Sequence, residues 1–189
     1  MNYKKLLFRF GPLLGLSFVY LLFLVISPPE FHSFYNTKTI LTQTVIIGIA
    51  ALGMTIVIIA RGIDLSVGSQ IALGTVVIAS VLQGTAGTFG ITMLAAIAGI
   101  VACALCGYLI GLITSRFNIV PFIVTLGMMQ IARGVAKWIA KERTVSAPEN
   151  WLQSLMMFDP EPGCLVSAPG AWITIIILII TVVILKYTV

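Results

Sequence analysis

Of 189 residues, 59% are hydrophobic and only 9% are charged, with a formal net charge of +5. A soluble domain needs about a quarter of its residues charged to cover its surface, so this composition excludes a water-soluble fold and predicts an exterior facing lipid. The basic excess is scattered rather than clustered. That suits the loops of a membrane protein beside anionic lipid and excludes a nucleic-acid footprint, which needs a basic run able to follow a phosphate backbone.

A helix of about 20 residues crosses the hydrocarbon core, and the chain predicts about six such helices, an all-α polytopic transmembrane bundle. At the start, Lys4, Lys5 and Arg9 precede an apolar run ending at Ile26. The run is longer than a secretory signal and no small-residue cleavage site follows, so it predicts an uncleaved first span over residues 7–26 with its amino end in the cytoplasm. Ser27-Pro28-Pro29 stops it, and His32 in the next loop has no ligand spacing with any other residue, which predicts a solvated histidine. The second span is predicted over 40–60 and the third, short and bounded by glycines, over 67–82.

The fourth, over 91–114, carries small residues every four positions: Ala95, Gly99, Cys103, Gly107 and Gly111, flanked by Ala98, Ala102 and Cys106. Both rows fall on one side of a helix. They predict a groove where neighbouring backbones approach closely, the way helices associate in lipid. The C-x-x-C spacing of Cys103 and Cys106 reads as helix packing, because no further Cys or His accompanies it, and Cys164 stands alone in an outer loop.

A fifth span begins near residue 119 and carries Arg133 and Lys137 in its second half. Arg133 is expected to snorkel or to pair with an outer-loop acid. Between it and the sixth span, which begins at 172, residues 142–170 form the longest polar stretch. Ser146-Ala147-Pro148-Glu149 is a capping-box pattern opening a short helix, and Trp151, Leu152, Leu155, Met156 and Phe158 would give that helix an apolar face. It would plug the outer end of the bundle or meet a delivery protein. With the amino end inside, Lys4, Lys5, Arg9, Arg61, Arg116 and Lys186 are cytoplasmic, while Lys38, Lys141 and Arg143 lie outside. The whole of 1–189 reads as one transmembrane domain.

Two polar interruptions carry the most information. The first is Arg61-Gly62-Ile63-Asp64-Leu65-Ser66-Val67-Gly68-Ser69. Gly62 is expected to free the backbone, Asp64 or Ser66 to cap the next helix, and Arg61 to pair with Asp64. Its polar groups either hold a capped helix break or line a route across the membrane, where irregular backbone is tolerated mainly against a cavity. The second is Asn118-Ile119-Val120-Pro121-Phe122-Ile123-Val124-Thr125-Leu126-Gly127. Pro121 suits the first turn of a helix, Gly127 offers a close-packing position, and Phe122 and Thr125 serve core packing or substrate contact. No Ser/His/Asp set, carboxylate pair, metal-ligand cluster or phosphate-cradling loop is present, so neither catalysis nor a cofactor is expected.

Gly53-Met54-Thr55 followed by Arg61 to Ser69 resembles the signature of ribose/xylose/galactose-type ABC transporter permeases. Pro121-Phe122-Ile123-Val124-Thr125-Leu126-Gly127-Met128, followed by Arg133-Gly134, is similar to that family's second recurrent block. The resemblance covers about residues 40–140. It implies a permease subunit in the bacterial plasma (inner) membrane, built as one half of an inverted repeat. It also implies a monosaccharide substrate and three kinds of partner: a second permease copy or homologue, cytoplasmic ABC ATPase subunits, and a periplasmic or lipid-anchored sugar-binding protein. Under it, Asp64, Ser66, Ser69, Phe122 and Thr125 are candidates for translocation or gating. Arg61, Gly62, Gly68, Pro121, Gly127, Arg133 and Gly134 would be structural. Family chains are about twice as long and carry an ATPase-docking loop after the sixth helix, so the sequence reads as a fragment. An ion-coupled transporter, with Asp64 as its coupling site, and a non-transporting scaffold remain as alternatives.

Overall fold

The computed structural model describes residues 3–155 and 169–188. Met156, Phe158, Asp159, Glu161 and Cys164 lie outside the described residues. Among the described residues every regular element is helical: α1 (Tyr3–Ile26), a 3-10 turn (Pro29–His32), α2 (Phe34–Ile59), α3 (Val67–Leu82), α4 (Phe89–Phe117), α5 (Pro121–Ala140), α6 (Trp151–Ser154) and α7 (Pro169–Thr188). All six predicted segments are present as helices. Four of them, α2, α4, α5 and α7, are long and apolar enough to cross a membrane. α3, with 16 residues, is about 24 Å long and too short to do so upright.

The chain packs around α3, which lies between α4 and α5; α2 packs chiefly on α7. The buried residues Leu73, Ala132 and Ala136 form the core between α3 and α5, with Cys106 of α4 against it. Large apolar side chains elsewhere point outward, as expected where lipid rather than water is the solvent.

Several boundaries differ from the sequence reading. α2 begins at Phe34, six positions before the apolar run that the sequence marks, because Ser33 accepts the Asn36 amide at 3.1 Å and caps the helix. Lys38 is thereby a helical residue, 2% exposed, with its ammonium 5.2 Å from the centre of the Phe34 ring. His32 is tied back to α1, its Nε2 2.8 Å from the Leu24 carbonyl. The Ser146–Glu149 capping box does not form: α6 is a single turn capped by Asn150, whose Oδ1 accepts the Leu152 amide at 3.1 Å. Pro148 and the extended Asn150 backbone move the helix start past the box. α6 does sit over the start of α4, where Trp151 and Phe89 rings lie 5.6 Å apart.

Among the described residues the small-residue row of α4 is used in its first half. A Cβ on Gly99 would lie 2.7 Å from Ile78 Cγ1 and 3.2 Å from the Gly74 carbonyl, and one on Gly74 would lie 2.9 Å from Cys103 Sγ. Gly107 and Gly111 meet nothing within 4 Å. The reason is register. The helices run antiparallel with Gln70 beside Cys103 and Gly74 beside Gly99, so α3 has ended where Gly107 and Gly111 begin.

The antiparallel α4 and α5 put Arg116 and Arg143 at opposite ends of the bundle, and both are exposed. With the amino terminus inside, a cysteine at Arg143 should react with an impermeant maleimide in intact cells and one at Arg116 should not. The reverse pattern would invert the orientation.

Candidate functional site

The two polar interruptions meet. α2 closes in a Schellman turn: the Arg61 amide donates to the Ile58 carbonyl and the Gly62 amide to the Val57 carbonyl, both at 2.9 Å. Such a turn places its C′ residue in the left-handed region, and that residue is Arg61, with φ +61°. The expectation that Gly62 supplies the backbone freedom is therefore corrected. Gly62 is needed for room instead, since a Cβ there would lie 3.1 Å from Val57 Cγ1 and 3.7 Å from Pro121 Cβ. Pro121 sits in the first turn of α5, so the start of α5 lies close beside the Gly62 turn. No ion pair joins Arg61 to Asp64 among the described residues, because the turn carries the Arg61 side chain to an exposed position.

Thr125 makes the second link. Its hydroxyl, 1% exposed, donates to the Ile63 carbonyl at 3.2 Å and to Phe122 of its own helix at 3.1 Å. The Ile63 carbonyl belongs to irregular backbone that no helix satisfies, so an α5 side chain takes the place water would have. Thr125→Val should cost about 1 kcal/mol of stability, with Thr125→Ser keeping most of it. Unfolding of detergent-purified protein checks this.

Asp64 holds the start of α3. Its Oδ1 accepts the Ser66 amide at 2.7 Å and the Ser66 hydroxyl as well. Ser66, fully buried, is the N-cap residue, but its own hydroxyl caps nothing; it accepts from Gln70 Nε2 at 2.6 Å. Of the two residues offered by the sequence, Asp64 does the capping and Ser66 relays it. Ser69 is buried.

Beside this junction α2 stands off α3, leaving a crevice of about 450 Å³. Val45, Ile49, Gly53, Met54 and Val57 line one wall, and Val67, Gln70 and Ile71 the other, with Asp64 and Cys103 at the seam. Of the sequence candidates only Asp64 lines it. Ser66, Ser69 and Thr125 are sealed inside the packing that supports it, and Phe122 is 44% exposed on the outer surface. Gly68, Gly127 and Gly134 meet nothing within 4 Å, so the close packing expected at Gly127 is not made within the described residues. Arg133 is exposed and pairs with no acid there.

Gln70 and Gly74 were not singled out from the sequence. Their signal is the spacing Ser66, Gln70, Gly74, one helical row, carrying an amide and a glycine through an apolar run.

Residues 36–189 match the family model described as branched-chain amino acid transport system / permease component. The chain is 40% identical over 120 residues to the fructose import permease protein FrcC of Rhizobium meliloti, covering 64% of this chain and 32% of that one. It is 37% identical over 125 residues to the galactose/methyl galactoside import permease protein MglC of Escherichia coli (strain K12), covering 62% and 37%. To the ribose import permease protein RbsC of Bacillus subtilis (strain 168) it is 34% identical over 135 residues, covering 71% and 40%. The chain thus spans between 32% and 40% of the length of these relatives. No solved structure matches it. With a family match running from the start of α2 to the last residue, and with both polar blocks inside it, this membrane-embedded chain belongs to the branched-chain amino acid transport system / permease component family.

Proposed function

We propose that this chain supplies membrane helices of the permease subunit of an ATP-driven importer that moves a monosaccharide, pentose or hexose, across the bacterial inner membrane. The observation that carries the reading is the docking of the two polar blocks on each other beside a crevice into which Asp64 opens. Membrane helices that only pack together have no need of two polar backbone breaks docked on each other. Irregular backbone is tolerated in a bilayer where it lines a cavity and where the cavity's walls change during transport.

The relatives named for fructose, galactose and ribose import support a sugar over a branched-chain amino acid as cargo. In this reading Asp64, with Gln70 beside it, presents polar groups to the crevice, and the Arg61–Gly62 turn against Pro121 is the point about which α2 moves. Ser66, Ser69 and Thr125 keep that junction rigid. The subunit would work beside a second permease copy or homologue, with an inverted repeat between its halves. ATP hydrolysis would lie in separate cytoplasmic subunits, and a sugar-binding protein would deliver the cargo. An ion-coupled carrier would need Asp64 as its coupling site, whereas the use this structure makes of the carboxylate is to hold the start of α3 through Oδ1.

Uptake of labelled D-ribose, D-galactose and D-fructose by cells expressing the full permease with its neighbouring transport genes tests the substrate class. Deleting the permease should abolish uptake of at least one sugar. Loss of leucine, isoleucine or valine uptake with sugar uptake intact would overturn the sugar reading.

A further inference from the structure

α5 is the least apolar of the four spans, with mean hydropathy 1.2 against 2.1 to 2.4 in the others, and its amide and charged side chains fall on one face. One side is buried on α3 and α4 through Thr125, Met128, Ala132 and Ala136. A second side is exposed and apolar, through Ile131, Val135 and Trp138. At 100° per residue, Gln130, Arg133, Gly134 and Lys137 fall together on a third side. All four are exposed. None of the three side chains makes a hydrogen bond or ion pair among the described residues. Arg133 lies about 18 Å along α5 from Pro121, within the span, where a bare cation in lipid is costly, and Lys137 stands one turn further on, in the last turn.

The exposed apolar side suits lipid, whereas a side carrying an amide and two cations suits water or protein. We propose that the Gln130–Arg133–Gly134–Lys137 face of α5 lines the water-filled route of the permease, where its two cations repel small cations and admit neutral or anionic polar solutes. Gly134 leaves the wall open, since a Cβ there meets nothing, and the Gln130 amide and the two cations offer hydrogen-bond donors to a hydroxyl-rich cargo. The same charges make this face a poor path for a coupling proton or sodium ion.

The inference rests on the permease reading. Its test uses the full permease assembled with its ATPase subunits, with single cysteines at Gln130, Arg133, Gly134 and Lys137 and controls at Ile131 and Trp138. Labelling is measured above that of the parent, with impermeant anionic and cationic methanethiosulfonates. Rates normalised to a free thiol should be at least about tenfold higher on the polar face than at the controls. At Gln130→Cys and Gly134→Cys the anionic reagent should be favoured on the order of threefold by the neighbouring cations. Vanadate trapping should change these rates severalfold. Equal rates on both faces would place the polar side against protein or lipid, and rates indifferent to vanadate would make it ordinary solvent surface; either result overturns the inference. Sugar uptake is measured alongside. ATP-driven uptake with an unreactive face sinks this inference alone, whereas a parent that takes up sugar without ATP sinks the permease reading beneath it.

Discussion

Replacing Gly99 with leucine should disrupt the crossing of α3 and α4, while the same change at Gly107 should leave that crossing intact. A single added carbon at Gly99 already falls 2.7 and 2.8 Å from two carbons of Ile78 and 3.2 Å from the Gly74 carbonyl. Ile78 could rotate its terminal methyl, but the Gly74 carbonyl is backbone and cannot yield without moving α3. Overpacking of this kind costs about 1–3 kcal/mol. A leucine belongs at the upper end, because membrane helices hold together by close approach rather than by a hydrophobic drive. Among the described residues a Cβ at Gly107 meets nothing within 4 Å. Thermal unfolding of the detergent-solubilised permease should show a large drop for Gly99→Leu and little for Gly107→Leu. Pairing Ile78→Ala with Gly99→Ala should recover part of the loss. A Gly99→Leu protein as stable as its parent would contradict the register of α3 on α4.

That register explains why the packing was only partly legible in the sequence. The four-residue repeat identifies a face but not how far a neighbour extends along it, and α3 ends before Gly107. The spans were legible for a simpler reason: an apolar run of sufficient length has few alternatives to a membrane helix. Their polar ends were not. The start of α2 looked like loop because Asn36, Thr37 and Lys38 are hydrophilic, yet Ser33 caps them into the helix. Within the site, Asp64 and Thr125 stood out because a carboxylate and a hydroxyl are conspicuous beside Pro121 and the glycines. The partner of Thr125, the Ile63 carbonyl, is backbone and leaves no mark on a sequence. The positive φ of Arg61 was missed for a related reason. A Schellman turn prefers glycine at C′, and glycine stands one position later, where a Cβ would crowd Val57.

Asp64→Ala should cost both assembly and transport, and Asp64→Asn should retain most of each. The Asp64 carboxylate accepts the amide and the hydroxyl of Ser66 on one oxygen, and an asparagine side-chain carbonyl can accept the same two donors. Alanine leaves the Ser66 amide without a partner at a fully buried position, at a cost of about 1–3 kcal/mol. It also leaves the Ser66 hydroxyl without the acceptor that orients it toward Gln70. A coupling acid behaves differently: asparagine cannot titrate, so Asp64→Asn would assemble normally and transport nothing. Measuring uptake and assembly of both variants separates the roles. A well-assembled but inactive Asp64→Asn protein would contradict the structural role given to Asp64 here.

The energy source of uptake separates an ATP-driven permease from an ion-coupled carrier. In right-side-out proteoliposomes holding the full permease with its ATPase subunits and binding protein, labelled D-ribose, D-galactose or D-fructose should accumulate when ATP is sealed inside. Accumulation should stop when a non-hydrolysable analogue replaces ATP and persist when ionophores collapse the proton and sodium gradients. Uptake that proceeds without ATP and ends with an ion gradient would contradict the account.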